Sequence, residues 1–125
     1  NAGGWVNIGG GAPGINGTPL LAGTGPLVGG MPAGIELTNA RESTLTVAWV
    51  SFNPTPVPAL GGTIHTLPYN SQFLFNTSPA GSITLNTTWP VGVPPGTQAY
   101  FQFLIADSFS IHGIVPSNAL RATTP

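Results

Sequence analysis

The stretch that decides the fold is residues 98–106, with the sequence QAYFQFLIA. Phe101, Phe103 and Ile105 alternate along this stretch, so an extended chain would place them on one face. Leu104 brings an apolar side chain to the opposite face as well. A strand that is apolar on both faces is typical of a sheet centre that is covered on both sides. We therefore predict that this stretch is a central strand.

Shorter segments on both sides of this stretch also alternate between apolar and polar residues. They are residues 35–38, 44–50, 63–67, 72–75, 82–86 and 118–123. The 18 Gly and 14 Pro residues fall mostly between these segments, and the Pro-rich residues 54–62 predict a loop. No segment has the capping residues and the apolar stripe of a helix. We predict an all-β fold, an antiparallel β-sandwich, Ig-like or jelly-roll-like, of about seven to nine short strands.

The phase of the alternation predicts which side chains fill the space between the two sheets. The predicted core residues are Phe101, Phe103, Ile105, Leu45, Val47, Trp49, Ile83 and Leu85. A shift of one residue in any strand would exchange its buried face for its exposed face, so the prediction can be checked strand by strand.

The first fifteen residues differ from the rest of the chain in composition. Residues 1–15 are rich in Gly, with isolated apolar side chains that include Trp5, Val6 and Ile8. We predict an extended arm followed by a β-sandwich domain at residues 16–125. An isolated arm cannot bury its apolar side chains, whereas the open sheet edge of a neighbouring subunit can accept it as an added strand. Trp5, Val6 and Ile8 are therefore candidate intersubunit contacts.

Charged residues are unusually rare in this chain. Lys and Arg number 2 and Asp and Glu number 3, which is 4% of the chain, with a net charge of −1. An ordinary domain has about 25% charged residues. No basic patch is present to neutralise phosphates, and no apolar run approaches the roughly 20 residues that span a bilayer, so we expect neither nucleic-acid binding nor membrane insertion. A surface without Lys is poorly protected against edge-to-edge association, so we expect the chain to bind itself as a homopolymer.

Few residues could support catalysis or metal binding. The candidates are His65, His112, Asp107, Glu36 and Glu42. No two of them have the spacing of a metal motif, and no Gly-x-Ser-x-Gly element is present for a nucleophile. The run Gly9-Gly10-Gly11 is not followed by the Lys and the helix of a phosphate-binding loop. We expect no enzyme activity, no cofactor and no metal, and we keep a hydrolase as the weakest alternative.

Two further features bear on an extracellular role. Asn16, Asn76 and Asn86 each begin an Asn-x-Ser/Thr sequon and are candidate sites for covalent glycans. The aromatic side chains of Trp5, Tyr69 and Trp89 are candidates for stacking on a sugar. The chain begins at Asn1 rather than Met, so we expect a processed chain or part of a longer polypeptide.

Several motifs resemble those of a known β-domain. They are ALGGT at 59–63, SPAGSITL at 78–85, WPVGVPPGT at 89–97, YFQFLIAD at 100–107, SNALRATTP at 117–125 and GTPLLAGTG at 17–25. This combination resembles an uncharacterised domain that recurs near the C-termini of large secreted proteins of planctomycete-type bacteria. The resemblance covers about residues 16–125 and implies a secreted, all-β module without catalytic residues.

Together these observations favour a non-enzymatic structural protein at the cell surface or outside the cell. We expect a subunit of an extracellular filament that assembles head-to-tail, with each N-terminal arm added as a strand to its neighbour. The alternative is an extracellular β-sandwich module of a larger secreted protein that binds a carbohydrate or a surface partner.

Overall fold

A computed structural model describes residues 4–52, 55–59, 62–66, 69–108 and 113–124. Within these residues every regular element is a β-strand. The strands are β1 (Gly4–Gly9), β2 (Leu20–Thr24), β3 (Pro32–Thr38), β4 (Leu45–Ser51), β5 (Val57–Ala59), β6 (Gly62–Ile64), β7 (Ser71–Asn76), β8 (Ile83–Thr88), β9 (Gln98–Ala106), β10 (Ile114–Pro116) and β11 (Ala119–Thr123).

The strands form two main antiparallel sheets that pack face to face. The large sheet has the order β1-β11-β9-β4-β7, and β10 also pairs with β9; the small sheet has the order β2-β3-β8. Leu21 and Leu37 of the small sheet pack with Phe103 and Ile105 of the large sheet in one apolar cluster. The all-β antiparallel sandwich predicted from the sequence is confirmed.

The central strand β9 is covered on both faces, as its sequence predicts. Phe103 and Ile105 point into the sandwich and are 2% and 0% exposed. On the outer face, Gln102 and Leu104 are also buried. The short hairpin of β5 and β6 lies over this face, since the Gln102 amide nitrogen donates a hydrogen bond of 3.0 Å to the Thr63 carbonyl. The hairpin therefore adds a partial third layer.

The predicted core is right for β8 and β9 but wrong by one residue in the phase of β4. Ala48 lies directly opposite Phe103 and shares its inner face, at 4% exposure. Leu45 is instead 51% exposed, and Val47 and Trp49 share its outer face. Both faces of β4 carry apolar residues, so the register with β9 decides, and it places the small Ala48 opposite the large Phe103 ring.

Four described strands lie outside the segments predicted as strands. They are β1, β2, β5 and β10. The Pro-rich loop prediction for residues 54–62 fails at β5, where Pro58 pairs with Thr63 in a two-stranded ribbon. Proline is tolerated at such an edge because one side of the strand needs no ladder hydrogen bond.

Candidate functional site

The first described strand docks onto its own sandwich. β1 pairs antiparallel with β11 at the edge of the large sheet, with Val6 opposite Arg121. The Trp5 ring lies against Gly23 of β2, so closely that a Cβ at Gly23 would overlap it. The Trp5 indole N–H donates a hydrogen bond of 3.1 Å to the Thr24 carbonyl. Trp5 thus connects the two sheets at this edge.

Trp5 also belongs to an aromatic cluster inside the sandwich. Its ring centroid lies 6.3 Å from that of Trp89, edge to face, and 5.7 Å from that of Phe101. The expectation that the N-terminal arm lies outside the core is therefore wrong for Trp5, whose indole is the inward-facing group of β1. Trp5 and Trp89, two of the three candidates for sugar stacking, act here as packing residues.

The other two candidate contact residues of the arm are less buried. Val6 is 42% exposed and Ile8 is half-buried, and the register between β1 and β11 shifts between Asn7 and Gly9. The outer edge of β1 pairs with no other strand among the described residues. Exchange of this strand between copies stays a prediction.

The segment after β1 is also held by its own chain. The Gly10 carbonyl accepts a hydrogen bond of 2.9 Å from the Thr63 N–H, and the Ala12 N–H donates one of 3.1 Å to the Pro116 carbonyl. Ala12 is 5% exposed. In this conformation residues 10–15 therefore lie along the sandwich and connect β1 to it.

An apolar groove of about 440 Å³ opens between β7 and β8. Its walls include Phe73 and Phe75 of β7 and Leu85 of β8, and its floor includes Phe101 and Phe103 of β9. No charged side chain is among its described lining residues. The groove exists because the small sheet has three strands and leaves part of the wider large sheet uncovered.

Beside this groove, β7 forms an unprotected sheet edge. Phe73 is 51% exposed and Leu74 is 63% exposed, and no described strand pairs with the outer edge of β7. Sequence reasoning identified this strand but not its place in the sheet. The sequence feature that could have indicated an open edge is the absence of charge and Pro from residues 71–76, SQFLFN.

An aromatic pair lies on the outer face of the large sheet. The rings of Trp49 and Tyr69 stack with centroids 4.9 Å apart and planes at 14°. The Trp49 indole N–H donates a hydrogen bond of 2.9 Å to the Gln72 side-chain oxygen. Tyr69 is 44% exposed, and Phe52, the residue directly after β4, is also an exposed aromatic residue. Sequence reasoning missed Trp49 here because it assigned that residue to the core.

The titratable candidates are held by structural contacts. His65 donates its backbone N–H to Gln102, and burial lowers the pKa of the His65 imidazole below its ordinary value. Asp107 is buried, and its carboxylate accepts a hydrogen bond of 2.9 Å from the Ile15 N–H. Glu36 is exposed on β3, and His112 lies outside the described residues. Among the described residues no group of three or more His, Asp or Glu side chains could hold a metal ion.

The three sequons differ in their surroundings. The side-chain nitrogen of Asn16, the atom that would carry a glycan, donates a hydrogen bond of 2.9 Å to the Ala40 carbonyl and another to the Glu42 carboxylate. Asn76 and Asn86 are exposed, at the end of β7 and within β8. Glycosylation at the three sites stays a prediction, and the two strand residues are the more accessible ones.

Comparisons of the chain with models of protein families, with curated proteins and with solved structures find no match. Within the described residues, no helix is long and apolar enough to cross a membrane. The basis for a function is therefore the set of features above: the docked strand β1, the open edge β7 and the aromatic pair of Trp49 and Tyr69.

Proposed function

We propose that this protein is a non-enzymatic, secreted structural protein, a subunit of an extracellular filament that assembles head-to-tail through exchange of strand β1. The observation that supports the proposal is the docking of β1. One strand supplies ladder hydrogen bonds to β11 and one large aromatic side chain, Trp5, to the core. A neighbouring copy's β1 could make the same contacts with no new chemistry.

The exchange requires the connection after β1 to release the hydrogen bonds of Gly10 and Ala12 and to take a new path. Gly9, Gly10 and Gly11 follow the strand, and Gly9 and Gly10 have φ angles of 77° and 97°. Glycine adopts such angles as readily as negative ones, so the run can turn in more than one direction. A six-residue strand is about 20 Å long, enough to lie along a neighbour's β11.

The geometry of exchange determines what is built. If two copies swap their strands reciprocally, a closed dimer forms. If each copy donates β1 to the next and receives it from the previous one, the contact is heterologous and the chain of subunits continues as a filament. The near absence of charge removes the electrostatic repulsion that would oppose this growth.

A pair of cysteines across β1 and β11 tests the exchange. Val6 and Arg121 are opposite each other in the register, and the natural chain has no Cys. We expect the Val6→Cys/Arg121→Cys variant, assembled and then oxidised, to give a ladder of covalent multimers on a non-reducing denaturing gel. Single-cysteine variants at either position provide the matched controls and should give no ladder.

Two other gel results would contradict the proposal. If the oxidised assembly runs only as a monomer with an internal disulfide, β1 stays on its own chain and the proposal is wrong. If the ladder ends at the dimer, the exchange is reciprocal and the protein is not a filament subunit.

A second candidate function is binding of a carbohydrate by the aromatic pair of Trp49 and Tyr69. The exposed Tyr69 ring, stacked on Trp49 and close to the Gln72 amide, combines an apolar plane with a hydrogen-bonding group. Pull-down on insoluble polysaccharides should then show binding that Tyr69→Ala abolishes and that Val91→Ala, at an exposed site on another loop, preserves. Equal retention of both variants would remove this candidate.

A further inference from the structure

The edge strand β7 is less protected against edge pairing than the edges β1, β2 and β8. Asn118 and Trp5 hydrogen-bond to the backbone of β2. β8 presents exposed polar residues to water, and β1 has a register shift and Gly at both ends. β7 pairs with β4 over six consecutive residues without a bulge and contains no charge and no Pro. Natural proteins use bulges, charges and Pro to prevent edge pairing, and β7 lacks all of these.

The backbone groups that β7 leaves unpaired can be assigned from its ladder with β4. The Thr77 N–H donates a hydrogen bond of 2.9 Å to the Thr44 carbonyl, so this pair is hydrogen-bonded. Hydrogen-bonded and non-hydrogen-bonded pairs alternate along an antiparallel ladder. Phe75, Phe73 and Ser71 therefore direct their N–H and C=O groups to β4. The even-numbered residues 72, 74 and 76 direct theirs to the open edge.

The two faces of β7 follow the same parity. Phe73 lies opposite Ala48, and Phe75 stacks on Phe103 with ring centroids 6.2 Å apart, so the odd-numbered residues face the sandwich interior. Leu74 lies opposite Val47 on the outer face. The outer-face residues are thus the same residues whose backbone groups are free.

We propose that β7 is a self-association edge that pairs antiparallel with β7 of a second copy about a two-fold axis through Leu74. In this register Leu74 lies opposite its own symmetry mate, and Gln72 lies opposite Asn76 of the other copy. Both copies then use their outward backbone groups and keep their inner faces on one side. Any odd shift would place outward groups opposite inward ones and is excluded.

The chemistry of the strand favours a second copy as the occupant. The two-fold register places Phe73 opposite Phe75 of the other copy on the groove side, and Leu74 opposite Leu74 on the outer side. Aromatic and aliphatic cross-strand pairs of this kind stabilise antiparallel sheets, and no like charges meet. The resulting sheet continues from one sandwich into the other. This contact is independent of β1 exchange and uses the opposite edge of the large sheet.

An edge contact of six residues is small, so we expect a dimer whose population depends on protein concentration. The variant Leu74→Lys tests it, with Val91→Lys as a control of equal charge at a site that is 77% exposed. We expect Leu74→Lys to raise the dimer dissociation constant by about tenfold or more, because two ammonium groups would meet across the axis. The control should leave it unchanged. Sedimentation of both variants checks these values.

Disulfide trapping tests the register. Hydrogen-bonded antiparallel pairs have Cα atoms about 5.5 Å apart, within the range of about 4.4–6.8 Å that a disulfide spans. We expect Leu74→Cys to form a covalent dimer on mild oxidation. Gln72→Cys alone should not, since its symmetry mate lies about 13 Å away along the strand. An equimolar mixture of Gln72→Cys and Asn76→Cys should cross-link as a heterodimer.

Three outcomes overturn the proposal. The first is a wild-type protein that stays monomeric at high concentration. The second is a Leu74→Cys variant that cross-links no faster than Val91→Cys. The third is a Gln72→Cys variant that cross-links with itself faster than Leu74→Cys does. A Leu74→Cys variant that fails to fold would be recognised by its circular dichroism, and Leu74→Lys, at a 63% exposed position, then serves as the test.

Discussion

The side-chain oxygen of Gln102 accepts a hydrogen bond of 2.8 Å from the backbone N–H of His65, and this contact attaches the β5–β6 hairpin to the outer face of β9. The Gln102 side-chain nitrogen donates to the carbonyls of Thr63 and Ser117, at 3.0 and 2.8 Å. One buried amide therefore satisfies three backbone groups that have left the regular ladders.

The first prediction removes this amide. Gln102→Leu removes the amide and leaves the three backbone groups without their partner, and each buried unsatisfied group costs about 1–3 kcal/mol. We expect the free energy of unfolding to fall by about 3 kcal/mol or more in urea titrations. Gln98→Leu, at an exposed position on the same strand, is the control and should change it by less than about 0.5 kcal/mol. Equal effects would show that the hairpin is held by other contacts.

The second prediction concerns a link between the two sheets. The Asn118 side-chain oxygen accepts a hydrogen bond of 2.6 Å from the Leu21 N–H, and its nitrogen donates one of 2.9 Å to the Leu21 carbonyl. Asn118 thus pairs with β2 in the manner of a neighbouring strand. Asn118→Ala should lower the free energy of unfolding by about 2–4 kcal/mol, since both Leu21 groups are buried. Asn86→Ala, at an exposed position, should have little effect in the same denaturant titration.

The predictability of the fold depended on how clearly each strand alternates. β9 is predictable because Phe101, Phe103 and Ile105 recur with a period of two. The alternation alone predicts the wrong inward face for β4 because both of its faces are apolar. Its orientation depends on the pairing of Ala48 with Phe103, a contact between residues that are far apart in the sequence.

The candidate site is less predictable because it also depends on contacts between residues that are far apart in the sequence. Composition singled out the arm, but whether Trp5 enters a core depends on the absence of a side chain at Gly23 on another strand. The open edge of β7 is a property of the sheet order rather than of any local pattern. The outward position of Trp49 follows from the phase of β4, so the same error hid the aromatic pair.

The third prediction tests the fit of Trp5 on Gly23. Gly23→Ala adds a methyl group where the indole ring lies, so the ring must move or β1 must leave the edge. We expect the free energy of unfolding to fall by about 1–3 kcal/mol. We also expect the emission maximum of tryptophan fluorescence to differ from that of wild type. Gly92→Ala is a control without any neighbouring atom near the added group, although its φ of 84° adds backbone strain. If Gly23→Ala leaves the fluorescence unchanged, the indole does not occupy this position.

The fourth prediction follows from the lowered pKa of His65. Burial disfavours the charged imidazole, so the unfolded chain binds a proton at a higher pH than the folded chain does. Stability should therefore be unaffected above about pH 6.5, fall as the pH drops through the ordinary histidine pKa, and level off below the folded-state pKa. His65→Gln should reduce this fall in urea midpoints measured between neutral and mildly acidic pH. If the urea midpoints of the variant and the wild type fall equally with pH, another titratable group causes the pH dependence.

The fifth prediction concerns the forces that hold the assembly. Both proposed contacts, the exchange of β1 and the pairing of β7, use backbone hydrogen bonds and apolar side chains, and the chain has only 2 basic and 3 acidic residues. Raising NaCl from about 0.1 M to about 1 M shortens the Debye length from about 10 Å to about 3 Å. We expect the wild-type assembly, followed by light scattering, to change little over this range.

The variant Leu74→Lys provides the internal contrast for this prediction. Its two added ammonium groups would repel each other across the two-fold axis, and salt screens that repulsion. Dimerisation of the variant should therefore recover partly as the salt concentration rises, while the Val91→Lys control shows no such dependence. A wild-type assembly that dissolves in salt would instead mean that ion pairs, and not the two sheet edges, hold the subunits together.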